Sequence, residues 1–346
     1  MLYSLIFTTL LSYLFIKLII TYAIKLHLTD IPNERSTHFE TIPLGAGIGF
    51  IIAMLIGIVS YNPSIMLEHW YIFVAILIVL CVGMVDDIYE ASPKTKIMVI
   101  VLAGLLLWYH NISIITLGEY FGYQVSLGWL SLPFSVFAIV GFTNALNLID
   151  GIDGLAGMVS LVIIASFGYI GYNNEDLLIF TLSGFSIASV IAFILLNYHP
   201  AKIFMGDSGS LTLGFIIATL AILSLKYIHP IVALYFTALP LFDTFTVIIR
   251  RVKNGMPIFQ PDQTHFHHLL LKYFGDRDKE GKRVNRSRRT VWVLVAFQAL
   301  FSLIGLQIHY NMSTSSNMSI FALMGFIIVF ILVYMLITKI ENFTQR

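Results

Sequence analysis

Apolar stretches long enough to cross a bilayer recur along the whole of this sequence, and no soluble fold accommodates so many of them. Eleven stand out, at about 2–24, 44–60, 70–85, 96–112, 132–146, 155–172, 176–196, 208–225, 228–249, 290–309 and 318–338, the fifth being the shortest. A helix needs roughly 17–25 such residues to span about 30 Å of hydrocarbon. Composition agrees: 58% of the chain is hydrophobic and 11% charged, against about 25% charged in a soluble domain. The sequence therefore predicts an all-α polytopic membrane protein with about eleven transmembrane helices in one domain over 1–346. The stretch from Leu2 to Ile24 is too long for the apolar core of a signal peptide and has no small-x-small cleavage site, so it reads as a retained first span. A single cysteine, Cys81, excludes an internal disulfide and a cysteine-based metal cluster. Its expected place is a buried apolar one. No nucleic-acid partner is expected.

Placement of charge orients the bundle. Lys25, Arg35, Lys94, Lys96, Lys202, the basic stretch from Arg250 to Arg289, Lys339 and Arg346 fall on one set of loops, and Lys226 alone on the other. Positive residues mark the cytosolic side. The N-terminus is then outside, the C-terminus cytosolic, and a cytosolic loop covers about 250–290. Asp30, Glu34, Glu40, Asp86, Asp87, Glu90, Asp150, Asp153, Asp207, Asp262, Asp276, Asp278 and Glu280 stand in the same loops or at span ends beside them. Asp243 sits inside the ninth span, where an ionisable group costs several kcal/mol unless paired or facing a wet cavity.

Four clusters carry the polar chemistry. In Asp86-Asp87-Ile-Tyr-Glu90, followed by Lys94 and Lys96, adjacent carboxylates repel and call for a cation or a shared proton. A hard divalent ion with oxygen ligands answers that need, and the lysines can hold phosphate as point charges. A polar stop with positive-inside lysines explains the same residues without function. In Asn144-Ala-Leu-Asn147-Leu-Ile-Asp150-Gly-Ile-Asp153-Gly154, four ligand-type side chains recur every third residue, and Gly151 and Gly154 end the helix there. A capped Gly-rich turn is the blander account. The third cluster runs Asn197-Tyr-His199-Pro-Ala-Lys202-Ile-Phe204-Met-Gly206-Asp207-Ser-Gly-Ser210, where Asp207 can cap the following helix and also hold a metal. The fourth is Asp262-Gln-Thr-His265-Phe-His267-His268, with Arg250 and Arg251 upstream. Without cysteine, and with one acid beside it, this cluster makes a poor zinc site. Donors to phosphate or sugar hydroxyls fit better. The remaining histidines, His199 among them, are expected to pack at span edges, and Asp243 to line a cavity or pair with Arg250.

Together these motifs resemble the polyprenyl-phosphate N-acetylhexosamine-1-phosphate transferases, over about residues 30–290. The His-x-His-His loop is more similar to the WecA/TagO-type undecaprenyl-phosphate GlcNAc-1-phosphate transferases than to the MraY branch, which acts on UDP-MurNAc-pentapeptide. Asn33–His38 with Ile42-Pro-Leu-Gly45-Ala-Gly47 is similar to the WbpL group, except that Ala46 stands where that pattern usually has Gly. The resemblance implies that Asp207 and Asn147 bind Mg²⁺, or Mn²⁺ in its place, with Asp86 and Asp87 close to the metal and the lipid phosphate. It implies that Lys96 holds the nucleotide diphosphate, that Asp153 and Phe204 recognise and stack on uracil, and that Arg250, His265, His267 and His268 read the sugar and its phosphate. Asp150 joins the acidic group; Asn144 and Asn197 match site asparagines. The implied reaction joins UDP-HexNAc to undecaprenyl phosphate with release of UMP, initiating an envelope glycan such as O-antigen or teichoic acid. The implied setting is a bacterial inner (plasma) membrane with a cytosolic site and, as a partner, a second copy in a homodimer. Two other readings compete: an MraY-like phospho-MurNAc-pentapeptide transferase and, from another class, a transporter. A transporter would place carboxylates at mid-bilayer in repeated halves; only Asp243 is so placed and no repeat is visible.

Overall fold

A computed structural model of the chain describes residues 1–30, 41–257, 264–275, 283–312 and 317–344. The expectations for Glu34, Arg35, Glu40, the Asn33–His38 motif, Asp262, Asp276, Asp278, Glu280 and Arg346 lie outside the described residues. All eleven apolar stretches are helical. Among the described residues eight helices are long and apolar enough to cross a membrane, or nine if one sharply bent pair counts as a span. The helices over the second and fourth stretches, at 16 and 17 residues, are shorter than these. The described residues form two compact units, Met1–Ile115 with Leu127–Tyr227, and Thr116–Ser126 with Ile228–Arg346.

The first unit contains α1 (Leu2–Tyr22), the short strands β1 (Thr29–Asp30) and β2 (Ile42–Pro43), α2 (Ala46–Tyr61), α3 (Pro63–Glu68), α4 (Trp70–Tyr89), α5 (Pro93–Tyr109), α6 (Ser131–Ile149), α7 (Leu155–Asn173), α8 (Leu177–Asn197) and α9 (Asp207–Ser224). Local sequence sets several starts. Ser92 accepts the Thr95 N–H (3.2 Å) ahead of Pro93, and Asp176 accepts that of Ile179 (2.9 Å). Both satisfy amides that a helix start leaves without partners. A single 3₁₀ turn at Gly128–Leu130 precedes α6, so the fifth stretch is longer than its apolar run suggested.

The centre of this unit is α9, apolar on every side and buried along most of its length against α2, α4, α6, α7 and α8. Between membrane helices the attraction is close packing, which favours small residues at the crossings. A Cβ at Gly47 or Gly83 would collide with the backbone of Ser208 or Gly209, so α2 and α4 touch the first turn of α9 backbone to backbone. Antiparallel β1–β2 pairs Thr29 with Pro43 and Asp30 with Ile42. The segment entering α9 is stitched to the same place: Phe204 N–H donates to Pro43 O (2.8 Å), and Ala46 N–H to Phe204 O (3.1 Å). The first turn of α9 is thus held from several directions.

The expected buried place for Cys81 is wrong. It is exposed, because α4 turns Ile72, Ile76, Val79, Leu80 and Gly83 inward and position 81 falls off that stripe.

The second unit contains the hairpin β3 (Thr116–Tyr120) and β4 (Tyr123–Ser126), then α10 (Pro230–Phe236), α11 (Ala238–Lys253), α12 (Phe266–Gly275), α13 (Arg283–Met312) and α14 (Met318–Thr344). The hairpin lies between the fourth and fifth apolar stretches. Glu119 fixes it to this unit, its N–H donating to His229 Nε2 (3.1 Å) and its carbonyl accepting from the Ser319 hydroxyl (2.7 Å). The ninth stretch is not one helix: α10 and α11 meet at 85°. Pro240 is the cause. It has no N–H for the Phe236 carbonyl four residues back, and its ring crowds that carbonyl. Gln298 of α13, fully buried, repairs the break by donating to Phe236 O (2.7 Å) and accepting the Leu239 N–H (3.0 Å). A broken helix at membrane depth persists only when its freed backbone groups are satisfied in this way.

Candidate active site

In the first unit the acids gather round the start of α9. Asp87, at the end of α4, accepts the N–H of Asp207 at Oδ1 (2.6 Å), and at Oδ2 the N–H (3.2 Å) and hydroxyl (2.5 Å) of Ser208. The sequence suggested that Asp207 caps this helix. It does not: Asp207 is the first helical residue, Gly206 occupies the cap position, and the capping carboxylate comes from Asp87 on α4. Gly206 has φ +73°, a left-handed value that disfavours other residues, and a Cβ there would stand 2.5 Å from Asp87 Oδ2. Because Asp87 takes the terminal amides, the Asp207 side chain is left to face outward.

That side chain meets Lys96. The ammonium donates to Asp207 Oδ2 (2.7 Å) and lies 3.2 Å from Asp86 Oδ1. Asn147 Nδ2 donates to Asp207 Oδ1 (2.9 Å) and to Ser210 Oγ (2.8 Å). Four helices, α4, α5, α6 and α9, thus deliver Asp86, Lys96, Asn147 and Asp207 to one point. Asp150, in the turn after α6, lies close enough to feel this charge. Burial first, then the charges of Asp207, Asp87 and Asp153, push its carboxyl up to about 7. Asn144, one turn before Asn147, instead donates to Val140 O of its own helix (2.8 Å).

A second knot lies beside the first. Asp153 Oδ2 accepts from His199 Nδ1 (2.6 Å) and from the Ala201 N–H (3.0 Å). Asn197 bridges two backbone segments, accepting the Gly154 N–H (2.7 Å) and donating to Ile203 O (2.8 Å). Its amide therefore fixes the 150–154 turn against the chain leading to Phe204, which is itself half-buried. The sequence signal for these bonds is the short run Asn197-Tyr-His199, from which a site asparagine and a histidine packed at a span edge are expected.

Among the described residues no three of His, Cys, Asp and Glu converge as a metal cage. The donor set still fits one hard divalent cation. Carboxylate oxygens of Asp86 and Asp207 meet at a single ammonium with a carboxamide alongside, and Mg²⁺ is characteristically held by one or two carboxylates together with waters and substrate phosphates.

The second unit carries the histidines. Asp243, buried in α11, accepts His265 Nδ1 (2.6 Å) and the Phe266 N–H (2.6 Å), so it caps α12. Asp243 does not pair with Arg250. The Arg250 guanidinium, also buried, donates to Glu341 Oε2 of α14 (2.6 Å) and to Thr264 O (2.5 Å). The rings of His265 and His267 are parallel with centroids 5.8 Å apart, and His268 lies 4.2 Å from His267. His267 is held neutral, its pKa well below the usual imidazole range through burial and then the neighbouring His268 and His265.

These features define a polytopic membrane protein with a charged, phosphate-compatible centre at the start of its most buried helix. The sequence profile of glycosyl transferase family 4 matches residues 69–225, which hold every candidate residue of the first unit. The chain is 32% identical over 265 residues, 72% of each protein, to a probable undecaprenyl-phosphate N-acetylglucosaminyl 1-phosphate transferase of Bacillus subtilis. It is 34% identical over 256 residues to an undecaprenyl-phosphate alpha-N-acetylglucosaminyl 1-phosphate transferase of Haemophilus influenzae (71% of this chain, 72% of the relative). To the Escherichia coli K12 protein of that name it is 31% identical over 301 residues (83% and 78%). The chain belongs to glycosyl transferase family 4.

Proposed function

We propose that the protein transfers N-acetylglucosamine-1-phosphate from UDP-GlcNAc to undecaprenyl phosphate and releases UMP, working at the cytosolic edge of a bacterial inner membrane. The relatives' activity supports this reading. The observation that carries it is the Asp86–Lys96–Asp207–Asn147 group at the start of α9, where an ammonium and a carboxamide meet two carboxylates. In the reaction an oxygen of the lipid phosphate attacks the sugar-bearing phosphorus. The bridging P–O bond breaks, and its electron pair leaves with UMP. Both reactants are anions, so the site must lower their repulsion and align them. Asp86, Asp207 and Asn147 would hold Mg²⁺, which when bound supplies neutralising charge to the phosphate oxygens.

Lys96 exchanges its carboxylate partners for diphosphate oxygens. Asp153, oriented by His199, faces the nucleotide, and Phe204 offers a ring for uracil. Arg250, through the turn it holds, and the α12 histidines serve the sugar phosphate. Asp87 is committed to the α9 backbone through both oxygens, which supports direct attack over a phospho-aspartate intermediate. A phosphate monoester is largely ionised near neutrality and needs little base catalysis. The test is UMP release from a panel of UDP-sugars with undecaprenyl phosphate and Mg²⁺. Release with UDP-GlcNAc well above the others is expected. Release with none of them, or a trapped phosphate on Asp86 or Asp87, overturns the reading or its mechanism respectively.

A further inference from the structure

One buried acid is not absorbed by that chemistry. Asp243 is 1% exposed, in the apolar first half of α11. Capping α12 does not explain it, because Asn or Ser would accept the single Phe266 N–H without bringing a charge into the membrane. The second oxygen makes the difference. It accepts from His265 Nδ1 at 2.6 Å, and a carboxylate can only accept, so that nitrogen must carry the proton. Arg250, two turns further along α11, holds the preceding residue through Thr264 O and is itself held by Glu341. The turn that presents His265 is therefore gripped on both sides by one helix. A second observation points to a ligand here: His267 is 2% exposed and its Nε2 has no hydrogen-bond partner among the described residues. An orphaned buried nitrogen of this kind is what a substrate oxygen would satisfy.

We propose that Asp243 is a positioning residue, which fixes His265 as its Nδ1–H tautomer so that Nε2 is the nitrogen whose protonation can change during turnover. The inference deepens the proposed transferase reading, and rests on it for the word turnover. It assigns the α11 carboxylate to the handling of the sugar phosphate rather than to helix stability. Fixing a tautomer through a carboxylate on the far nitrogen is a general way to orient a working imidazole.

Asp243→Asn separates the two roles. Its Oδ1 still accepts the Phe266 N–H, while its NH₂ donates to His265 Nδ1 and moves the ring proton to Nε2. We expect UMP release to fall by about 10–100-fold, with KM for UDP-GlcNAc within about threefold and thermal unfolding in detergent unchanged. In a His265→Gln background the same substitution should cause no further loss, as residues acting through one another are not additive. Losses that multiply would reduce Asp243 to a structural cap and overturn the inference. The tautomer is read without turnover, from nitrogen-15 shifts of histidine-labelled protein in bilayers, with His265→Gln assigning the signal. Nδ1–H is expected in the unmodified chain, and Nε2–H there would overturn the inference even if the Asn variant does not fold. An Nδ1–H ring in a chain that releases no UMP from any UDP-sugar would sink the transferase reading and leave the placement of His265 standing.

Discussion

The two units solve one local problem with the same device and to different ends. In each, a carboxylate on a neighbouring helix takes the first free amide of a helix that carries the chemistry: Asp87 of α4 for α9, and Asp243 of α11 for α12. Both bonds are 2.6 Å long. Around α9, however, the remaining groups are charged, with Asp86, Asp150 and Asp207 gathered near one Lys96. Around α12 the remaining groups are imidazoles, and the nearby charge is already balanced between Arg250 and Glu341. The first start is built to receive a cation and phosphate, the second to hold rings in a fixed direction. Substitutions should therefore fail differently in the two places.

The widest gap is expected at Asp207. Asp207→Asn keeps the shape but removes the charge that Lys96 and the proposed Mg²⁺ share, and UMP release should fall on the order of a thousandfold with the protein still folded. Activity within tenfold of the unmodified protein would remove Asp207 from the charged centre. Next comes the seat of α11 itself. Gln298→Leu strands Phe236 O and Leu239 N–H inside the membrane, and each buried unsatisfied group costs about 1–3 kcal/mol. A clear drop in the detergent melting temperature is expected, together with weaker labelling of the His265 Nδ1–H state, while Mg²⁺ dependence is unchanged. A shift in metal response instead would break the separation between the units. Asp87→Asn is smaller: one oxygen still accepts an amide, and the loss is about 1.5–3 kcal/mol of charge-assisted bonding. Unlike Asp243→Asn, it should lower stability and activity together, measured as melting temperature and UMP release.

Much of this contrast was legible in the sequence, though unevenly. Apolar runs gave the helices because span length follows from bilayer thickness. The charged clusters pointed to Asp86, Lys96, Asn147 and Asp207, since four polar motifs beside apolar runs need a reason. Hydropathy merged α10 and α11, because it averages over Pro240 and cannot see an angle. Gln298 looked like one polar residue in an apolar span; its use depends on a break about sixty residues earlier in the chain, with which it shares no local pattern. Asp87 and Asp207 were told apart only by geometry. Either could cap α9, and the one 120 residues away does so, because α4 meets the first turn of α9 at Gly83. Asp243 stood out as a buried acid, but its partner was missed: Arg250 lay on its own helix face, while His265 came from beyond the next turn.

The mildest effect is also the most diagnostic of the charged start. Asp150 has its carboxyl pushed up to about 7 by burial and by Asp207, Asp87 and Asp153, whereas an unfolded chain would hold it near the ordinary aspartate value of about 3.9. A folded pKa raised above the unfolded one contributes stability that is full below the unfolded value and is lost as pH rises through the folded value. In chelator, the native protein should therefore weaken between about pH 4 and pH 7 relative to Asp150→Asn, which has no proton to lose. Solvent relaxation leaves about a third of the nominal effect, so the Asn variant should gain about 1–2 kcal/mol by pH 8 and nothing at about pH 4. Added Mg²⁺ should cancel that gain, because a bound cation favours the ionised carboxylate and removes the repulsion from Asp207. Melting curves across pH, with chelator and with Mg²⁺, measure both parts. A gain at pH 8 that Mg²⁺ leaves untouched would mean that the α9 start does not take up the cation, and the difference between the two helix starts would then be one of burial alone.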